Sequence, residues 1–131
     1  MQDEERKALS AARIEHASEC FSSAEELYAH GEYKSAANRF YYAVFHAMRA
    51  VLAFDDVDMK HHSGIISEFR KRYIKTGAFD TRYSNIISAL FEIRTDSDYD
   101  DFFAISKDEI ALQIANAKDF LEKTRLYLKT K

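Results

Sequence analysis

The sequence predicts an all-α protein, an antiparallel bundle of about five helices. Proline is absent and only three glycines occur among the 131 residues, a composition that permits long helices and provides little for hairpin turns. Apolar residues also recur at spacings of three and four along most of the chain, as they do on the buried face of a helix. A chain of this length needs only one core, so residues 1–131 are predicted to form a single domain.

The first two predicted helices form an antiparallel pair. Helix one covers about residues 4–30, and Gly31 ends it because glycine readily adopts the left-handed conformation of a helix terminus. Helix two covers about residues 33–54, and the connection of only two residues favours antiparallel packing. The apolar positions that define the buried face of helix one are Ile14, Ala17, Phe21, Ala24 and Tyr28.

The C-terminal part of the chain predicts three further helices. The segment "GIISEFRKRYIKTG" forms the third and ends at Gly77, and Asp80 then caps a fourth helix over residues 81–97. Ser106 and Glu109 in "SKDE" match the capping box, in which each side chain satisfies a free backbone amide at the start of a helix. The positions that alternate at four and three along the fifth helix are Ile110, Ile114, Ala117, Leu121, Thr124 and Leu128.

Charge and composition exclude several classes of protein. The net charge of -3 provides no general attraction to nucleic acid or membranes, so any anion-binding site has to be local. No run of about 20 apolar residues occurs, and no membrane span is expected. The start "MQDEERK" is charged and a single cysteine, Cys20, cannot form an internal disulfide, which predicts a cytoplasmic protein. Cys20 lies on the apolar face of helix one and is interpreted as core packing.

Helix two carries a narrow polar stripe on an otherwise apolar surface. In "AANRFYYAVFHAMRAV", Arg39, Tyr42, His46 and Arg49 fall within about 80° of one another at 100° per residue, and we call them the polar stripe. One interpretation is an ordinary solvated face. The other is a cationic groove, because no carboxylate occurs between residues 33 and 54, arginine and histidine donate to phosphate, and tyrosine stacks on bases. The residues predicted to face the core are Phe40, Tyr41, Val44, Phe45, Met48, Val51 and Leu52.

His62 and Ser63 in "HHSG" extend the groove hypothesis. If the preceding loop folds back on helix two, His62 joins the polar stripe, and Ser63 either caps helix three or donates to a phosphate. A simple capped helix start is the alternative for both residues. The candidate nucleotide- or RNA-binding residues are therefore Arg39, Tyr42, His46, Arg49, His62 and Ser63.

Four blocks of the sequence together resemble one known family. The blocks "NRFYYAVFHAMRAVL", "HSGIISEF", "FEIRTDSDYD" and "IANAKDFL" stand in the order found in the HEPN domain, in its small stand-alone bacterial and archaeal branch, over about residues 10–128. The resemblance implies a bundle of four or five helices that is often a homodimer. It also implies a partner nucleotidyltransferase in a toxin–antitoxin pair, and no cofactor is expected.

The resemblance further implies a metal-independent endoribonuclease site. Many members use an arginine, four to six residues and a histidine, in which histidine takes the proton of the ribose 2'-hydroxyl and arginine holds the phosphate. Two copies of the motif meet in one cleft of the dimer. Here the matching arginine is Arg94, and Tyr99 stands where a four-residue spacer places the histidine. Tyrosine is a poor base at neutral pH, so catalysis by Arg94 and Tyr99 stands beside a structural alternative, an ion pair of Arg94 with Asp98.

No metal site is predicted from the spacing of ligand residues. The segment "DSDYDD" departs from a calcium loop, because Asp101 replaces its glycine and Lys107 its bidentate glutamate. His61 and His62 lie near several aspartates but lack the spacing of a zinc site.

Two functional classes follow from the sequence. The first is a HEPN-type protein that binds nucleotide or RNA beside a nucleotidyltransferase, with its ribonuclease motif degenerate. The alternative is a non-catalytic dimerisation or protein-interaction module built from helices. The degenerate motif favours binding over cleavage, and the charge pattern of helix two favours an anionic ligand over a purely structural bundle.

Overall fold

Five α-helices and no strands make up the computed structural model, which describes residues 1–131. This confirms the all-α class. None of the helices combines the length and the apolar character needed to cross a bilayer. In chain order the helices are α1 (Asp3–Ala29), α2 (Tyr33–Leu52), α3 (His62–Phe69), α4 (Thr81–Tyr99) and α5 (Lys107–Leu128).

The ends of the first two helices follow from local chemistry. Gly31 has φ 76° and ends the α1 segment, as predicted. Helix α2 ends at Leu52 rather than at residue 54, because the chain tightens into a 3₁₀ turn over Ala53–Asp55. Asp56 then adopts the left-handed conformation with φ 55°. This sharp exit turns the following loop back toward α1 and α2.

The third helix differs most from its predicted form. It begins at His62, two residues earlier than the predicted segment, and its α-helical part has eight residues. A π-helical turn over Arg70–Ile74 follows, in which the Lys75 N–H donates to the Arg70 carbonyl at 2.8 Å. The Arg70 guanidinium donates to the Ser84 hydroxyl at 3.0 Å and so ties this turn to α4.

Side-chain caps from Asp80 and Ser106 fix the starts of the last two helices, as predicted, but the Glu109 side chain does not make the reciprocal bond of the capping box. Asp80 accepts a hydrogen bond from the Arg82 N–H at 2.9 Å. Ser106 accepts one from the Glu109 N–H at 3.1 Å. Each cap satisfies an amide that has no partner within the helix and stabilises the fold by about 1 kcal/mol.

Helix α2 is the central element of the bundle. It packs against α1, α4 and α5, and α3 contacts it as well. All seven residues predicted for its core face are buried, which confirms that part of the helical wheel. Because α2 is surrounded in this way, its polar stripe lies at the margins of the contacts with α1, α3 and α4. Side chains from those three helices can therefore reach it.

Candidate functional site

Arg94 of α4 lies against the polar stripe of α2. Its Nη2 atom donates to the Tyr42 hydroxyl at 3.3 Å. The guanidinium carbon lies 5.5 Å and 5.8 Å from the ring centres of Tyr41 and Tyr42, within the range of cation–π attraction. The arginine of "RTDSDYDD" and a tyrosine of the polar stripe, which are 52 positions apart in sequence, therefore meet at one place.

Arg94 also pairs with Asp98, one helical turn further along α4. Its Nε atom is 3.0 Å from Asp98 Oδ2. The N–H does not point at the carboxylate, so the attraction is electrostatic and the buried Nε has no hydrogen-bond partner. Of the five N–H donors of a guanidinium, one on Nη2 binds Tyr42 and the Nε–H is buried, which leaves those on Nη1 and the second on Nη2 for an anionic ligand.

His62, the first residue of α3, lies beside the same tyrosines. Its Nδ1 atom is 2.8 Å from the Tyr41 hydroxyl, and its ring stacks on Phe45 with 4.0 Å between centroids. Burial lowers the pKa of His62, and the positive charges of Arg94 and Arg49 lower it further, so the imidazole is neutral at pH 7. It then offers either an N–H or a lone pair at Nε2, depending on whether Tyr41 donates or accepts.

The other end of the polar stripe is held by Asp58. Arg49 of α2 and Arg13 of α1 each place Nη2 at 3.1 Å from Asp58 Oδ2. Burial raises the pKa of the Asp58 carboxyl, but the hydrogen bond from Arg49 and the charges of both arginines outweigh it and hold the pKa below its usual range. Arg13 is only 8% exposed and also donates to the Arg49 carbonyl at 3.0 Å. Two arginines thus share one carboxylate.

His46 occupies the middle of the polar stripe. Its ring stacks on His16 of α1 with 4.0 Å between centroids, and its Nδ1 atom accepts from Arg49 Nη1 at 3.3 Å. Burial lowers the pKa of His46 to about 4, and the nearby His16 and Arg49 contribute in the same direction. His46 is therefore neutral at physiological pH.

Three candidate residues lie apart from these contacts. Arg39 is exposed and lines a separate shallow cavity with Asp98. Ser63 does not cap α3, because His61 occupies the N-cap position, and it lies in a groove between α3 and α4. Tyr99 is 82% exposed at the end of α4, and no side chain of this chain holds its hydroxyl. The structure therefore brings together Tyr42, His46, Arg49, His62 and Arg94.

Some residues of the site were missed by the sequence analysis. Arg13 continues the spacing of the buried residues Ala17, Cys20 and Ala24 toward the N-terminus, and this periodicity indicates that it is buried. Asp58 lies in a loop where no periodic pattern exists, so nothing in the sequence indicates its pairing. Tyr41 was assigned to the core, where its ring is buried, but its hydroxyl reaches His62.

The arrangement has the chemistry of an anion site with aromatic walls. We call Tyr42, Arg49, His62 and Arg94 the arginine–histidine cluster. Its two guanidinium groups can bind phosphate oxygens, and its ring faces can contact a base. Lys60, Arg49 and His62 also line a shallow cavity beside the cluster. Both guanidinium groups are ion-paired, Arg49 with Asp58 and Arg94 with Asp98, so each offers a ligand only part of its positive charge.

Comparison with known proteins finds one domain family and several named relatives. Residues 10–127 match the HEPN domain. "Putative toxin MJ0142" of Methanocaldococcus jannaschii is 33% identical over 118 residues, which are 90% of this chain and 80% of the relative. A UPF0332 protein of Thermotoga maritima is 29% identical over 106 residues, 81% of this chain and 80% of the relative. "Putative toxin MJ0605" of M. jannaschii is 34% identical over 88 residues, 67% of this chain and 66% of the relative.

Proposed function

The chain belongs to the HEPN domain family, and from that premise we propose that it binds the phosphate of a nucleotide or an RNA through the arginine–histidine cluster. The observation that carries this proposal is that Arg94 makes few hydrogen bonds within the protein. Its guanidinium is held against two tyrosine rings and lies 3.0 Å from the Asp98 carboxylate, but it makes only one hydrogen bond within the protein. Such a group is oriented in advance and retains its donors, which favours binding of a phosphate over further ion pairing.

The neighbours of Arg94 support the same ligand. A neutral His62 adds an Nε2 donor when Tyr41 donates to its Nδ1. The ring of Tyr42 lies next to both groups and offers a surface on which a base can stack. A local positive site of this kind is required because the net charge of -3 attracts no polyanion to the molecule as a whole.

Cleavage of RNA is a second candidate function, and His62 is the observation that favours it. Residue 99 is an exposed tyrosine, but His62 reaches the surroundings of Arg94 from another helix and is neutral, as a general base has to be. In this role His62 donates from Nδ1 to Tyr41 and accepts the proton of the ribose 2'-hydroxyl at Nε2. Arg94 then stabilises the charge that develops on the phosphate.

A binding titration tests the first proposal. AMP, ATP and a labelled single-stranded RNA are titrated into the wild type, Arg94→Ala and Arg72→Ala. Arg72 is a matched control, because it is an exposed arginine paired with Glu68 outside the cluster. We expect Arg94→Ala to bind at least about tenfold more weakly, the loss of one charge-assisted contact, and Arg72→Ala to bind like the wild type. Failure of the wild type to bind any of these ligands, or unchanged binding by Arg94→Ala, would overturn the proposal.

A cleavage assay separates the two functions. The same RNA is incubated with the protein in EDTA, with His62→Ala, Tyr99→Phe and Arg94→Ala as variants. If His62 is the base, His62→Ala loses cleavage while Tyr99→Phe retains it. Cleavage that survives Arg94→Ala indicates a contaminating nuclease. Binding without cleavage in the wild type leaves binding as the function and excludes the catalytic role of His62.

We also propose that the protein acts with a nucleotidyltransferase in a toxin–antitoxin-like pair and forms a homodimer. The relatives from M. jannaschii whose names include the word toxin support the first part. Two exposed aromatic side chains near the end of α4 support the second, since Tyr99 is 82% and Phe102 is 93% exposed. Light scattering of the wild type and of Phe102→Ser tests the dimer, and a monomeric wild type at micromolar concentration would contradict it. A dimer without nucleotide or RNA binding would support the alternative, a non-catalytic interaction module.

A further inference from the structure

We propose that His16 and Cys20 of α1 and His46 of α2 form a binding site for Zn²⁺ or a similar thiolate-binding divalent cation. Their ligand atoms all lie within 4.8 Å of one another. Donors at about 2.0–2.3 Å from one zinc ion are roughly 3.3–3.8 Å apart. The His16 and His46 rings are stacked, so one of them has to turn before the three donors can close around a single ion.

The two helices hold the three donors in place. His16 and Cys20 are four residues apart, so they lie one turn apart on the same face of α1. Helix α2 runs against that face, and the His46 ring stacks on the His16 ring with 4.0 Å between centroids. The sequence predicts no metal site because no motif along the chain has zinc spacing, whereas these three ligands come from two separate helices.

The three ligands differ in exposure, which leaves one side of the metal site open to solvent. Cys20 is 3% exposed and lies at the bottom, His46 is half-buried, and His16 is exposed. An ion can therefore enter past His16 and complete a tetrahedral shell with a water molecule. A bound ion would link α1 to α2.

Three arginines lie near the three ligands, so the negative charge that attracts a cation comes from Cys20 once it is deprotonated. Burial raises the pKa of the Cys20 thiol, and the charge and hydrogen bond of the nearby Arg39 offset only part of this, so a bound ion has to displace the thiol proton. Arg13 and Arg49 lie near His46, but Asp58 neutralises part of their charge. Arg49 donates to His46 Nδ1, so a metal on Nε2 moves the imidazole proton to Nδ1 and releases this bond. Arg49 then retains its pairing with Asp58.

Cobalt titration tests the site without any assay of activity. Reduced, metal-free protein is titrated with Co²⁺, and the absorption of thiolate-to-cobalt charge transfer is followed, with Zn²⁺ used to displace the cobalt. We expect one ion per chain and a thiolate band in the wild type. Cys20→Ser should lose the band, and His16→Ala should bind at least tenfold more weakly. His30→Ala is the matched control, because it removes an exposed histidine at the end of the same helix.

The variants distinguish the site from misfolding and from the phosphate proposal. His16→Ala changes an exposed side chain, so it tests the site even if Cys20→Ser disturbs the core. Zn²⁺ should raise the melting temperature of the wild type and of Arg94→Ala but not that of His16→Ala, since only a chain that binds the ion is stabilised by it. Absence of stoichiometric Co²⁺ binding, or a thiolate band that persists in Cys20→Ser, would overturn the proposal.

Discussion

Asp58 joins Arg13 of α1 to Arg49 of α2. Replacing Asp58 with asparagine tests how much this one negative charge contributes to the stability of the fold. Removal of one partner from a fully buried ion pair costs about 3–5 kcal/mol. The Asp58 side chain is 51% exposed, so water screens the loss, and we expect the free energy of unfolding to fall by about 1–2 kcal/mol. Asparagine keeps the acceptor Oδ1 that binds the Met59 N–H at 3.0 Å, so the substitution removes mainly the charge.

The matched control for this substitution is Asp56→Asn. Asp56 is also a loop aspartate bound to an arginine, at 2.7 Å from Arg6, but the Arg6 side chain is 25% exposed, whereas the Arg13 side chain that pairs with Asp58 is 9% exposed. Asparagine tolerates the left-handed conformation of this position. Urea unfolding followed by circular dichroism measures both variants. We expect the midpoint to fall further for Asp58→Asn than for Asp56→Asn, because only the first leaves the buried Arg13 without its carboxylate, and equal effects of the two substitutions would refute the argument from burial.

The same substitution has a second, opposite effect on binding. Without Asp58, Arg49 regains its full positive charge beside His62 and Lys60. We therefore expect Asp58→Asn to bind phosphate-containing ligands severalfold more tightly, about 1 kcal/mol, while it lowers the free energy of unfolding. Because the pKa of Asp58 lies below its usual range, its stabilisation is present above about pH 3.9 and is lost as the pH falls through the folded-state pKa. The stability difference between the wild type and Asp58→Asn should disappear at the acid end.

Three further predictions address the helix ends and His62. Gly31→Ala should cost about 1 kcal/mol in urea unfolding, because φ is 76° and no neighbour within 4 Å adds to the backbone strain; an unchanged midpoint would contradict this. Asp80→Ala should cost a similar amount, about 1 kcal/mol, by loss of the α4 cap, whereas Asp80→Asn should retain most of it. An NMR titration of His62 should have a midpoint below about 6.5 that rises in Arg94→Ala, because burial and the Arg94 charge lower its pKa. The unfolded chain then binds a proton on His62 that the folded chain does not, so the free energy of unfolding should fall as the pH drops below about 6.5. A midpoint that is the same in Arg94→Ala and the wild type would contradict the proximity of His62 and Arg94.

The helices were predictable because their determinants are local. Periodicity and the residues Gly31, Asp80 and Ser106 located four of the five helices to within a few positions, whereas α3 ends eight residues before the predicted Gly77. The π-helical turn at Arg70–Ile74 was not predictable, since the same residues read as a continuous helix and the turn is tied to Ser84 of another element. The 3₁₀ turn that shortened α2 likewise follows from how the chain leaves the bundle.

The candidate site was only partly predictable for the same reason. The helical wheel placed Tyr42, His46 and Arg49 on one stripe outside the core face of α2, because the angle between residues is fixed by helix geometry, and in the structure all three are half-buried. It could not indicate that Arg39 lines a different cavity, because that depends on the position of α4. It also could not indicate that Asp58 pairs with two arginines, because a loop has no period from which a contact can be inferred.

The sequence by itself determined the family resemblance, the helical class and the polar stripe of α2, all of which depend on neighbouring residues in the chain. The tertiary structure alone decided that Arg94 rests on Tyr42, that His62 reaches Tyr41, and that His16, Cys20 and His46 converge. These contacts depend on how helices cross and on which loops fold back. Packing of whole elements decides both, and the spacing of residues along one helix does not.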